Sequence, residues 1–174
     1  MASEDDYDYF EVLEKYKFLK NAELPDIPDV ILEHAVMSWM WTKAFKEGVE
    51  QYEVICSLPK PCQHVYSCRT VIDEVNNGGL TQLFYNDTGQ FAKMSIEGFL
   101  ALGSPKLSEI MAKAIETYHQ NKPVLDNYDD GTLESFFDSY QEKIFEELDD
   151  KFYNECDSIN SFKYIRQNAE CFGD

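Results

Sequence analysis

Apolar positions recur along this chain at three- and four-residue spacing far more than in strict alternation, which predicts helices rather than strands. Phe10, Leu13 and Tyr16 or Lys17 fall in phase and predict a first helix over about 4–20. Ser3 with Asp6 forms the aspartate version of a capping box ahead of it. The connector Pro25-Asp26-Ile27-Pro28 follows, and Pro28 suits the first turn of the next helix. That helix, VILEHAVMSWMWTKAF, is apolar on most sides, so it is expected in the core, with Gly48 ending it.

The prolines of residues 57–63 (SLPKPCQ) break the pattern. A helix over 64–76 is expected to stop at Asn77-Gly78-Gly79. Residues 80–91 leave strand and short helix both open, with a turn signal at Asn86-Asp87-Thr88-Gly89. A helix over 95–102 ends at Gly103; Ser104 and Pro105 then open one over 105–120, which Pro123 closes. Thr132 is placed to cap a long helix over 132–153. Its apolar face would hold Leu133, Phe136 or Phe137, Tyr140, Ile144, Leu148 and Phe152. A last helix covers about 157–171. The expectation is all-α: a single compact domain, residues 1–174, with about seven helices.

Charge changes this picture. The chain carries 33 acidic and 15 basic residues, a net charge of −18. Such a chain is repelled by DNA, RNA and anionic membranes, which argues against direct nucleic-acid or membrane binding. The excess is local. Residues 1–14 hold six acids and no base, and residues 126–157 hold twelve acids and two bases. No apolar run approaches the roughly 20 residues of a membrane span, and the acidic start does not read as a secretory signal. Five cysteines without a CxxC pair suit free thiols in a reducing compartment. A cytoplasmic protein is expected.

In the 132–153 helix, Glu134, Asp138, Glu142 and Glu146 follow one another at four-residue steps, and so share one face. Each step rises about 6 Å. Glu147, Asp149 and Asp150 extend the row, and Asp129 and Asp130 precede it in the turn DNYDDG. A regular row of carboxylates can stand in for the phosphates of one DNA strand. Like charges at this spacing cost an isolated helix about 0.2–0.5 kcal/mol per pair, and acids in the second half of a helix oppose its dipole. Stability alone does not favour the arrangement. These nine acids, 129 and 130 included, form the candidate contact surface for a basic partner.

Other chemistry is weaker. DNYDDG places Tyr128 and Phe137 where a calcium loop needs oxygen ligands. Cys56, Cys62 and Cys68 are six apart, against the closer pairs of structural zinc sites. His34 reads as a core histidine, Trp39-Met40-Trp41 as core, and His119 as a helix-end cation. No P-loop, GxSxG, HExxH or GxGxxG occurs. Neither a cofactor nor enzymatic activity is expected.

Glu74-Val75-Asn76-Asn77-Gly78-Gly79-Leu80, then Gln82, Phe84, Asn86 and Gly89, then Phe99-Leu100-Ala101-Leu102-Gly103, resembles the core of a bacterial family of acidic DNA-mimic proteins. The resemblance covers about residues 70–119 and departs at Leu80, where an aromatic is common. It implies an α-helical, dimeric protein that occupies the DNA-binding surface of a helix-turn-helix transcription factor and blocks operator binding. Asn77, Gly78 and Gly79 read as a structural helix stop, with a family binding site as the alternative. One other function fits the charge map, an immunity- or antitoxin-type inhibitor of a basic nuclease; a carboxylate-rich, metal-dependent enzyme ranks third, because so negative a chain repels a phosphate substrate.

Overall fold

The computed structural model describes residues 7–128, 130, 132–156 and 159–174. Among these there are nine α-helices and no strand: α1 (Tyr9–Lys15), α2 (Asp29–Ala44), α3 (Gln51–Ser57), α4 (Lys60–Tyr85), α5 (Ala92–Ala101), α6 (Pro105–Leu125), α7 (Leu133–Ser139), α8 (Glu146–Cys156) and α9 (Ser161–Gln167). The all-α expectation holds, with slightly more helices than seven. The chain divides into two compact units: residues 1–66 with 160–174, and residues 67–159.

In the first unit α2 is the core, as its nearly uniform apolar pattern requires. Leu32, Ala35, Val36, Met37 and Met40 are fully enclosed. α1 and α9 pack on it. Arg166 of α9 meets Asp29 at 2.8 Å and donates to the carbonyls of Leu24 and Ile27. Asn21 donates to the carbonyls of Ala169 and Phe172, which fixes the last residues to this unit.

The second unit is built on a core of Val71, Val75, Leu80, Leu83, Phe99, Leu107, Met111, Phe145 and Phe152. α5 and α6 form a hairpin whose turn passes through Gly103 at φ +83°. α4 runs through Gly78 and Gly79 but is not helical there. Gly79 has φ +70° and ψ −176°, a region that L residues avoid. The sequence signal for a stop at Asn77-Gly78-Gly79 was sound; the helix restarts at once, because Leu80 and Leu83 must reach the core.

Several boundaries differ from those the pattern suggests. α1 begins at Tyr9 with Asp8 as its cap, accepting from the Glu11 amide at 2.9 Å. Ser3 and Asp6 lie outside the described residues. Pro28 is the cap residue of α2 rather than part of its first turn, and α2 ends at Ala44, ahead of Gly48. α6 runs past Pro123 to Leu125. A proline this close to the end removes only one helical hydrogen bond.

The main correction concerns 132–153, which is two helices and not one. α7 ends at Ser139, a 3-10 turn covers Tyr140–Glu142, Lys143 is left-handed at φ +52°, and α8 starts at Glu146. The break lets Phe145 become fully buried, 5.4 Å from the ring of Phe84. In a continuous helix Phe145 would stand about 100° from Ile144 and about 140° from Tyr140. Burying a phenylalanine contributes about 1.5–3 kcal/mol, enough to offset the roughly 1–2 kcal/mol of one left-handed residue.

The kink generates a direct test. A Cβ on Gly79 would stand 2.9 Å from the Asp149 carboxylate, in a backbone region that side chains rarely adopt. Gly79→Ala is expected to lower unfolding stability by about 1–3 kcal/mol in urea titration. An unchanged midpoint would contradict the kink.

Candidate functional site

All candidate acids described by the structure lie in the second unit, and two anchoring systems position them. The first is built from the motif around Glu74. Its carboxylate accepts from Gln82 Nε2, Asn86 Nδ2 and Thr88 Oγ1, each at 2.9 Å. The Glu, Gln and Asn of the motif therefore meet at one carboxylate and staple the two halves of kinked α4 to the turn that follows. Gly89 completes it, because a Cβ there would meet the Leu83 carbonyl at 2.7 Å. Asn77 is exposed beside the kink. This accounts for the motif in structural terms.

The second system ties the acidic segment to the kink. The restart of α4 leaves amides without helical acceptors, as any helix start does. Asp149 Oδ1 accepts from the Leu80 amide at 2.7 Å. Tyr140 donates its hydroxyl to the Gly78 carbonyl at 2.7 Å, and Tyr153 donates to the Val75 carbonyl at 2.9 Å. Residues from the 3-10 turn and from α8 thus seize the backbone of α4 on both sides of the glycines. Burial pushes the Asp149 carboxyl up to about 6, against the opposing pull of the Leu80 hydrogen bond; neighbouring Asp150 pushes in the same direction as burial. Burial raises the Tyr140 and Tyr153 hydroxyls as well, and the Asp149 charge adds to it. An open cleft of about 400 Å³ lies alongside, with Lys143, Glu146 and Asp150 on its wall.

The nine sequence-derived candidates now separate. Glu134 and Asp138 are exposed on α7. Glu142 is exposed in the 3-10 turn, where Tyr128 donates to it at 2.5 Å. Glu146 is exposed and paired with Lys143 at 2.9 Å, and Glu147 is 93% exposed with Lys151 4.0 Å away. Asp150 is exposed. Asp130 is exposed, but its carboxylate accepts from the Thr132 amide and hydroxyl at 2.9 and 2.7 Å, which holds its pKa below the usual range. Asp129 lies outside the described residues. Asp149 faces inward and serves the kink.

The single evenly spaced row is therefore replaced by two short ones. Glu134 with Asp138 occupy α7, Glu146 with Asp150 occupy α8, and Glu142 sits in the turn between them. Glu146, Glu147 and Asp149 fall in the first turn of α8, where acids suit the dipole. Sequence reasoning also placed Leu133, and Phe136 or Phe137, on a buried face. Phe136 is buried, whereas Leu133 and Phe137 face solvent. Among the described residues no three His, Cys, Asp or Glu side chains gather as a metal site, and no helix is long and apolar enough to cross a membrane.

The family model of DMP19-like proteins matches residues 56–168, which is more than half of the chain. The chain belongs to this family of DNA-mimic proteins, the one its motif resembles. The match spans all of the Glu74 network and every candidate acid. No curated protein and no solved structure matches.

The position of Asp149 fixes the sign of a pH effect. Its folded pKa lies above the roughly 3.9 of an unfolded aspartate. Its contribution to stability is therefore fully present below about pH 4 and is lost as pH rises through about 6. Asp149→Asn keeps an oxygen for the Leu80 amide and does not titrate. The stability of wild type relative to this variant is expected to fall between pH 4 and pH 7 in urea titrations. Parallel profiles would contradict the inward placement of Asp149.

Proposed function

We propose that this protein is a DNA mimic that binds the DNA-binding surface of a helix-turn-helix transcription factor and blocks its operator binding. The observation that carries the reading is the run of exposed carboxylates across α7, the 3-10 turn and α8, held to a fixed backbone by the Asp149, Tyr140 and Tyr153 anchors. Membership of a DNA-mimic family supports it.

The binding set is Glu134, Asp138, Glu142, Glu146, Glu147 and Asp150, with Asp129 and Asp130 flanking it. Asp149 acts through the position of the others. Lysines and arginines that contact phosphates in the regulator would contact these carboxylates instead, and counterion release would make the contact salt-dependent. The protein acts as a cytoplasmic homodimer without catalysis. Two-fold symmetry matches a dimeric regulator, whose half-sites are spaced by its own two-fold axis.

Reversal of Glu134 and Asp138 to lysine tests the reading. Both side chains are exposed, so the fold should survive. In pull-downs at low salt, wild type is expected to retain a basic DNA-binding protein that duplex DNA or high salt releases. The double variant should lose about tenfold or more in affinity. Undiminished retention by the variant would overturn the reading. If the retained protein is instead a nuclease, the inhibitor class takes the place of the regulator class.

A further inference from the structure

α7 has a feature that charge does not explain. Leu133 and Phe137 are 73% and 62% exposed. They stand four residues apart and so share one helix face. The adjoining face is already occupied: Phe136 and Ser139 are buried, and the Phe136 ring lies 4.6 Å from Tyr85 and 5.2 Å from Tyr140. The solvent side of α7 is thus an apolar pair beside the two carboxylates of Glu134 and Asp138. Asp130 and Glu142 continue the negative charge past either end.

A surface that imitated phosphates alone would need only carboxylates. Proteins that read DNA also present apolar groups among their basic ones, which contact thymine methyls in the groove. We propose that Leu133 and Phe137 are apolar anchors of the partner contact, seated in an apolar socket that lysines and arginines surround on a DNA-reading protein. The proposal rests on the DNA-mimic reading and assigns a separate task to the same face. The carboxylates set the approach and the salt dependence. The apolar pair sets how long the complex lasts and selects a DNA-reading surface over a mere polycation. Large side chains in desolvated pockets carry most of the energy of protein contacts, while rim charges carry little.

Two probes of equal positive charge test this: a helical peptide with one leucine face and one lysine face, and an oligolysine. Binding of each to the full-length protein is followed by fluorescence anisotropy across a salt series. Wild type is expected to prefer the amphipathic peptide by about tenfold. Leu133→Gln with Phe137→Gln should abolish that preference and leave the salt slope unchanged. Glu134→Gln with Asp138→Gln should reduce the slope for both peptides. Circular dichroism checks folding, and the single Phe137→Gln variant serves if the double one melts early.

A preference that survives in the Leu133→Gln/Phe137→Gln variant would overturn the proposal while leaving mimicry intact. Absence of any salt-dependent binding in wild type would instead overturn the mimic reading, and this proposal with it. Sedimentation velocity supplies the remaining outcome. If the variant dissociates from a dimer yet keeps its peptide preference, the pair belongs to a contact between copies and the proposal falls.

Discussion

The hydrogen bond from the Leu80 amide to the Asp149 carboxylate is the constraint on which the second unit depends. A helix that stops and restarts within two residues creates a new N-terminus in the middle of a core element, with amides that lack helical acceptors. Here the acceptor comes from a helix 69 residues further along the chain. Once Asp149 is committed to that role, much else follows. Residue 79 favours glycine, because its φ of +70° disfavours a side chain and a Cβ there would stand 2.9 Å from the carboxylate. α8 must begin close to the kink, and the segment before it must turn back so that Tyr140 can reach the Gly78 carbonyl.

Acidic residues of one short segment consequently do two kinds of work. Asp149, half-buried, gives up part of its hydration to cap a helix, and burial raises its pKa as the sign of that cost. Asp130 caps locally, through Thr132, at the entry to α7. Glu134, Asp138, Glu142, Glu146, Glu147 and Asp150 are displayed to solvent. A flexible acidic tail would attract a basic protein equally well at long range, but it would lose conformational entropy on docking. Anchoring the display to α4 removes part of that cost.

The helical class, the core role of α2, the helix stop at the glycines and the cap at Thr132 were legible in the sequence, since each depends on local periodicity or local backbone chemistry. The break at Lys143 was not. Phe136, Tyr140, Ile144, Leu148 and Phe152 are four apart throughout, so the pattern fits a continuous helix; only the burial of Phe145 against Phe84 reveals the turn. The dual use of the acids was equally hidden, because every carboxylate in a row looks the same until its partner from another part of the chain is known. The outward position of Leu133 and Phe137 escaped for the same reason: an apolar residue on an amphipathic helix reads as core by default. The Glu74 hub was half visible, as a motif whose chemistry needed the fold to explain it.

Under the proposed function, the protein and DNA are alternatives at one surface of a regulator, held there by carboxylates in one case and phosphates in the other. The most direct measurement is titration of the protein into a preformed complex of the purified regulator with fluorescent operator DNA, with mass and anisotropy read together. Mutually exclusive occupancy predicts that anisotropy falls to that of free DNA while a protein–regulator complex appears in its place. A stable ternary species containing regulator, DNA and this protein would contradict the account.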